Sequence, residues 1–249
     1  MSEFEWANLK AREIRQLKDR DAIVILPIGS IEQHGPHLPV QVDTLLVSEV
    51  AQRTARLVAK NSAVIVLPTI WSGLAEHHMS LGGTVTLDLT TFFALIRGIV
   101  RSVARNGFKR ILLLNGHGGN MTALNALCAE LSVEMSLPIG LATYWVPAQR
   151  EFEEILDEQQ SVEHACEAET SMLLALRPDL VDMSAVVSLR PPRDWEGGPS
   201  DIYVWRPVAA WSPSGVAGVP GAASAEKGEK LLNAAAQALA DRLRSGQMW

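Results

Sequence analysis

Four short apolar runs, separated by segments of helical periodicity, fix what this chain can build. They are residues 22–28, 63–70, 110–114 and 137–144, the second of them (AVIVLPTI) rich in β-branched side chains. Between them, 43–60 repeats Leu46, Val47, Val50, Leu57 and Val58 at helical spacing, and 90–106 carries Phe93, Ile96, Val100 and Val103 on one face. Asn106-Gly107 closes that second helix, and a third spans 121–136. Unbroken apolar strands alternating with amphipathic helices predict an α/β fold, with parallel βαβ units and helices on both faces of the sheet. A short helix over 6–19 precedes the first strand, one helical stretch covers 151–176, and a last helix runs over 225–243. Residues 190–223 bring together Pro191, Pro192, Pro199, Pro207, Pro213 and Pro220 with Trp195, Trp205 and Trp211, which predicts an ordered loop packed on the body. With no break in composition before residue 180, the expectation is one domain over 1–249.

In open parallel sheets, ligands bind beyond the carboxyl ends of the strands. The first strand runs into Gly29-Ser-Ile-Glu-Gln-His-Gly-Pro-His-Leu-Pro39 and then Asp43. Glu32 and His34 are two residues apart, so in extended backbone both point to one side. Asp43 stands before a helical pattern, where a carboxylate can cap the helix and still reach forward. The third strand delivers Asn115-Gly-His117-Gly-Gly-Asn120 to the same edge. Singly, a histidine in a glycine-rich turn is an ordinary loop residue, and a Glu before a proline-rich turn is usually solvated. Together they make a donor set of carboxylates and imidazoles that suits zinc, manganese or iron. Asp43 can bridge two ions, one on each oxygen.

A further ligand is expected from 161–171. As a helix, this stretch puts Ala165, Glu169, Met172, Leu173 and Leu176 on one stripe, so Glu169 faces the core, where a carboxylate must meet a cation or a strong donor. Glu167 falls on the opposite face and ranks below it as a ligand. The competing role for Glu169 is a buried salt bridge to an arginine. His164 is the candidate general acid or base, because histidine titrates near neutral pH; its competing role is an exposed residue at a helix start. Ser72, Glu76 and His77, in the loop after the second strand, are placed near the pocket or behind a ligand, as is His37.

A net charge of −6 argues against nucleic acid or an anionic membrane as partner. The first twenty residues lack the apolar core of a signal peptide, and no apolar run reaches the roughly 18 residues that span a bilayer. Cys128 and Cys166 form neither a metal pair nor a disulfide framework. The expectation is a cytoplasmic protein with a small-molecule substrate.

The combination of Glu32-Gln-His34-Gly-Pro-His-Leu-Pro39 with Asp43, Glu76-His77, Gly82-Gly83-Thr84, Asn115-Gly-His117-Gly-Gly-Asn120 and Glu169-Thr-Ser171 resembles the creatininase (creatinine amidohydrolase) family. Gly215-Val216 and Ala225-Glu-Lys-Gly228 resemble that family's closing segment. The resemblance implies a three-layer α/β/α fold with a mainly parallel sheet, two divalent ions per chain (Zn or Mn, with Fe allowed), amide-type hydrolysis and a homo-oligomer, specifically a hexamer. Carried over by position, Glu32, Asp43 and His117 hold one ion, His34 and Asp43 hold the other, and His164 assists proton transfer. Two positions depart from the pattern. Gly119 stands where true creatininases carry a carboxylate for the second ion, which leaves Glu169 to replace it, and Val219-Pro220-Gly221 replaces an Asp-Pro-Thr type of sequence. The Gly-Gly turn resembles formamide deformylases, peptide-processing proteins and hydrolases of ring ketones, so creatinine is not the expected substrate.

The mechanism this implies uses a metal-bridged hydroxide against a cyclic amide, a formamide or a related carbonyl compound. Backbone N–H groups at Gly118 and Gly119 stabilise the oxyanion, His164 passes a proton to the leaving group, and Ser72 and Trp145 wall the pocket. Two alternatives compete: a hydrolase of a cyclic keto-sugar, or a non-catalytic metal-binding relative that serves as an assembly partner. A nucleotide-binding role lacks a glycine-rich phosphate loop after the first strand.

Overall fold

A computed structural model describes residues 4–190, 204–246 and 249. Its four strands are β1 (Ile23–Ile28), β2 (Val64–Val66), β3 (Arg110–Asn115) and β4 (Ile139–Thr143). They form one sheet in the order β2-β1-β3-β4, and every pairing is parallel. The helices are α1 (Ala11–Asp19), α2 (Val42–Val58), α3 (Leu89–Arg105), α4 (Met121–Met135), α5 (Gln149–Ile155), α6 (Glu167–Leu176) and α7 (Ala225–Arg244).

Side-chain alternation explains the three layers. Ile23 and Ile25 of β1, with Leu112 and Leu114 of β3, pack into one cluster with Val47, Val50, Met172, Leu173, Leu231 and Leu239 from α2, α6 and α7. Val24, Leu26, Ile111 and Leu113 point the other way, into a cluster with Phe92, Ile96, Leu124 and Leu127 from α3 and α4. Every residue of β1 is therefore buried, as a strand covered on both faces must be. Each such Ile or Leu contributes about 1.5–3 kcal/mol by leaving water, enough to hold the register.

The predicted elements hold with adjustments, the first being that the helix expected over 6–19 starts only at Ala11, after a 3-10 turn at Trp6–Asn8. β2 is shorter than 63–70: past Val66 the chain keeps only the isolated bridge from Ile70 to Ile28, with Pro68 in between. In α3, Phe92 is the fully buried residue and Phe93 is only partly covered; Asp88 caps the helix by accepting from the Thr91 N–H at 3.0 Å.

The helix expected over 151–176 is two helices. The connecting segment commits its backbone donors to side chains, which compete with helix formation. Asp157 and Glu158 N–H donate to the Glu167 carboxylate at 3.0 and 2.9 Å, and Glu167 N–H donates to Gln159 Oε1 at 2.7 Å. Ala165 takes φ +50°, and His164 pairs with Ala217 through two backbone hydrogen bonds of 3.1 and 2.7 Å. His164 thus lies on a bridged, extended segment.

Of the Pro- and Trp-rich segment, Pro191, Pro192, Trp195 and Pro199 fall outside the described residues. In the described part, Trp205 is largely exposed, Trp211 is half-buried, and Val208, Val216, Ala217 and Pro220 are buried, so this part of the segment packs on the body. Among the described residues, no helix is long and apolar enough to cross a membrane.

Candidate metal centre

The carboxyl edge of the sheet is shaped first by Asn115, the last residue of β3. Its amide donates to Thr143 Oγ1 on β4 at 3.1 Å and to the His117 carbonyl at 2.8 Å, and its Oδ1 accepts from the His117 N–H at 3.2 Å. This clamp turns the chain so that His117 faces the loop leaving β1. Asp43 is the second residue of α2 and makes no cap hydrogen bond, contrary to the capping role expected of it; its carboxylate is free to face the same point. Glu169, in the first turn of α6, divides its two oxygens. Oε2 accepts from the Cys166 N–H at 3.4 Å, and Oε1 lies 3.5 Å from His34 Nε2.

Among the described residues, three overlapping groups of ligand atoms result, each with its atoms within 4.8 Å of one another: Glu32, Asp43 and His117; His34, Asp43 and Glu169; Glu32, His34 and His164. All six residues are buried. Asp43 belongs to two groups through different oxygens, Oδ1 at 3.3 Å from His34 Nε2 and Oδ2 at 3.1 Å from His117 Nδ1. His117 Nδ1 is also 3.1 Å from a Glu32 oxygen.

The second nitrogen of each histidine faces a backbone carbonyl, which can only accept. His34 Nδ1 donates to Glu32 O at 3.1 Å, His117 Nε2 to Leu74 O at 3.1 Å and His164 Nε2 to Gln33 O at 2.8 Å. In a neutral ring the other nitrogen is then bare, and in all three it faces carboxylates. Lone pairs aimed at carboxylates call for a cation between them. Consistent with that, His34 Nε2 and Asp43 Oδ2 are buried without a hydrogen-bond partner. The donor set of imidazole and carboxylate fits a divalent transition metal.

Without metal, protons must serve as the cations. Burial acts to lower the pKa of His34, but the carboxylates of Asp43 and Glu169 outweigh it and hold the ring well above the ordinary histidine value. Burial acts the same way on His117, and Glu32 and Asp43 outweigh it too. Asp43 is pulled below the usual carboxylate range by His34 and His117 against the effect of burial. Glu32 is raised, chiefly by burial. His164 is pushed well below its ordinary value by burial and by the neighbouring His34 ring, so it stays neutral.

The other expected residues lie as follows. Glu167 is fully buried and pairs with Lys227 Nζ at 2.6 Å. The buried salt bridge considered for Glu169 therefore belongs to its neighbour two residues earlier, with a lysine as partner. Ser72 is buried and donates to Val85 O at 2.9 Å. Trp145 sits in the apolar cluster beside α7, edge-on to Tyr144 at 4.8 Å. Gly118 and Gly119 are exposed in the 3-10 turn that leads into α4, and a Cβ on Gly119 would come within 2.5 Å of both His117 Nε2 and Leu74 O. Glu76 faces solvent, His77 is half-buried with its ring 5.7 Å from that of His117, and His37 Nε2 meets Thr170 Oγ1 at 2.9 Å.

Sequence reasoning missed His78 and the side chain of Gln33. His78 is buried, with Nε2 3.3 Å from Glu32 Oε1 and Nδ1 2.7 Å from Gln33 Nε2. The pair of histidines in Glu76-His77-His78 was a signal, but spacing could not say which ring turns inward. Tyr144, fully buried after β4, was also missed; its phenol is pushed well above its ordinary pKa by burial and by the Glu169 and Asp43 carboxylates.

The profile of a family described as creatininase, creatinine amidohydrolase, matches residues 7–243. Creatinine amidohydrolase of Pseudomonas putida is 31% identical over 260 residues, covering 98% of this chain and 95% of that protein. The mycofactocin precursor peptide peptidase of Mycolicibacterium smegmatis is 33% identical over 243 residues, covering 94% of this chain and 89% of its own length. Among solved structures, a manganese creatininase superposes with a TM-score of 0.82 at 28% identity, covering 98% of both chains. On sequence and fold alike, this chain belongs to the creatininase family.

Proposed function

We propose that this creatininase-family hydrolase, metal-dependent like its family, opens a cyclic amide, a formamide or a related carbonyl compound with two divalent ions, zinc or manganese. Glu32, Asp43 and His117 would hold one ion, and His34, Asp43 and Glu169 the other. The observation that carries this reading is the division of Asp43, whose two oxygens face two different histidines at 3.3 and 3.1 Å. Ions so held supply Lewis acidity for a carbonyl oxygen and lower the pKa of water toward neutrality.

The chain's own residues supply the rest. His164, neutral and with Nε2 committed to Gln33 O, offers Nδ1 as the atom that takes a proton and returns it to the leaving group. The backbone N–H groups of Gly118 and Gly119, in the 3-10 turn that leads into α4, are the oxyanion donors. Trp145 stiffens the wall behind the site. The chain acts as one cytoplasmic domain in a homo-oligomer, the hexamer that the family likeness implies, and takes a small molecule with no nucleic-acid partner.

The test combines elemental analysis with a panel of lactams, formamides and small amides assayed with zinc or manganese. Two ions per chain are expected, with turnover lost in His164→Ala while both ions stay. Fewer than two ions in fully loaded protein, or full activity in His164→Ala, overturns the reading. Light scattering in solution reads the oligomer.

A further inference from the structure

Gln33 stands between two ligands, Glu32 and His34, and extended backbone should turn it away from them. It is nonetheless only 7% exposed, and its amide is enclosed by Gly35, His78, His164 and Gly215. The amide's orientation follows from two backbone groups. Gly35 N–H donates to Oε1 at 3.0 Å, and the Gly215 carbonyl accepts from Nε2 at 3.3 Å. Nε2 is therefore the donor end, and it lies 2.7 Å from His78 Nδ1 and 3.0 Å from His164 Nε2. A Cβ on Gly215 would fall 1.9 Å from Gln33 Oε1, so the loop can cover the amide this closely only with glycine there.

An amide has two hydrogens and here meets three nitrogen or oxygen neighbours. In one arrangement they go to His78 Nδ1 and Gly215 O, while His164 Nε2–H donates to the Gln33 carbonyl at 2.8 Å. Every group is then satisfied. In the other two a hydrogen goes to His164 Nε2, which leaves the buried Gln33 backbone carbonyl without a donor and also strands either the Gly215 carbonyl or His78 Nδ1, at about 1–3 kcal/mol each. The first arrangement wins.

We infer that Gln33 is a positioning residue that fixes the tautomers of His78 and His164, both protonated at Nε2. The consequences differ for the two rings. His78 turns its N–H onto Glu32 Oε1 at 3.3 Å, which leaves Oε2, 3.1 Å from His117 Nδ1, as the oxygen that faces the first ligand group. His164 keeps Nδ1 bare on the side of Glu32, 3.5 Å from its Oε1. One residue thus presets both rings, its side-chain amide placing a donor behind one carboxylate through His78 and its backbone carbonyl leaving His164 with an acceptor at the site. The consequence for turnover rests on the proposed hydrolase function; the tautomers themselves do not.

Long-range proton–nitrogen spectra of histidine-labelled protein read the tautomers with no substrate present, in metal-free and zinc-loaded samples. Signals are assigned from their loss in His78→Asn and His164→Asn. Both rings are expected as neutral Nε2–H forms in the wild type; an Nδ1–H form at either overturns the inference without any variant at Gln33. Gln33→Glu keeps the size and the acceptor but removes the donor, and is expected to move His78 to the Nδ1–H or doubly protonated form. It should also lower kcat at least tenfold with KM changed less than threefold. An unchanged His78 signal in Gln33→Glu overturns the inference as well. Failure to find any hydrolysed substrate bears on the proposed function alone, because the spectra are read independently of it.

Discussion

Glu169 Oε1 lies 3.5 Å from His34 Nε2, joining the first turn of α6 to the loop after β1. The other Glu169 oxygen is held by the helix start, so the carboxylate is aimed by the backbone that carries it. Glu169→Gln keeps the shape and the cap acceptor but loses the charge. We expect that variant to retain one ion and to bind the second at least about 100-fold more weakly, beyond the 10–100-fold typical when only an orienting partner is lost. Elemental analysis after dialysis reads the stoichiometry; two ions retained would refute Glu169 as a ligand.

A carboxylate introduced at Gly119 should fail to add a ligand. Any side chain at Gly119 places a Cβ 2.5 Å from His117 Nε2 and from Leu74 O, the two atoms whose hydrogen bond aims His117. Gly119→Glu and Gly119→Ala are both expected to weaken the ion held with Glu32 and Asp43 by roughly 10–100-fold, as loss of an orienting partner does. Competition titration with a chelating dye measures this. Tighter binding in Gly119→Glu would show that the turn can relax.

Glu167 and Glu169 also show what the sequence could and could not convey. Periodicity predicted the strands and helices well, because the pattern of apolar residues is what the two faces of the sheet select. It also placed Glu169 toward the core. It turned Glu167 away from Glu169 but could not show that this second face is buried as well, because α7 supplies Lys227 from far along the chain. The break between α5 and α6 was hidden for a related reason: side chains of Gln159 and Glu167 take up the backbone donors, and local composition carries no sign of it. His78 and Gln33 were illegible because only assembled loops decide which of two adjacent histidines points inward. The ligands at the strand ends were legible because topology alone brings β1 and β3 to one edge.

Lys227 therefore separates stability from chemistry. Its Nζ meets Glu167 at 2.6 Å, Asp157 at 2.7 Å and the Ala222 carbonyl at 2.7 Å. Lys227→Met leaves the buried Glu167 carboxylate with only its backbone donors, a loss of about 3 kcal/mol by the usual cost of breaking a buried pair from one side. Urea unfolding should show that loss with metal content unchanged. If both stability and metal content hold, the backbone donors alone satisfy Glu167 and the ion pair adds no stability.

The pH dependence of the metal-free protein follows from the same geometry. His34 and His117 have pKa values raised well above the ordinary histidine value, so the stability they contribute is full below about 6.5, the unfolded value, and is lost as pH rises through their folded values. His77 and His37 are lowered, to about 3 and about 4, each mainly by burial. Unfolding lets them bind protons that the folded chain refuses, so stability also falls as pH drops below about 6.5 toward those folded values. His78 and His164, also pushed down by burial, act in the same direction. Metal-free protein should accordingly be most stable near the ordinary histidine pKa, with its Tm falling on both sides. Divalent ions compete with the protons on His34 Nε2 and His117 Nδ1, so zinc or manganese should remove the alkaline fall and bind more tightly as pH rises. Thermal melts across pH 5–9, with and without metal, measure both effects; an alkaline limb that metal does not change would mean that these two rings are not the groups the ions take over.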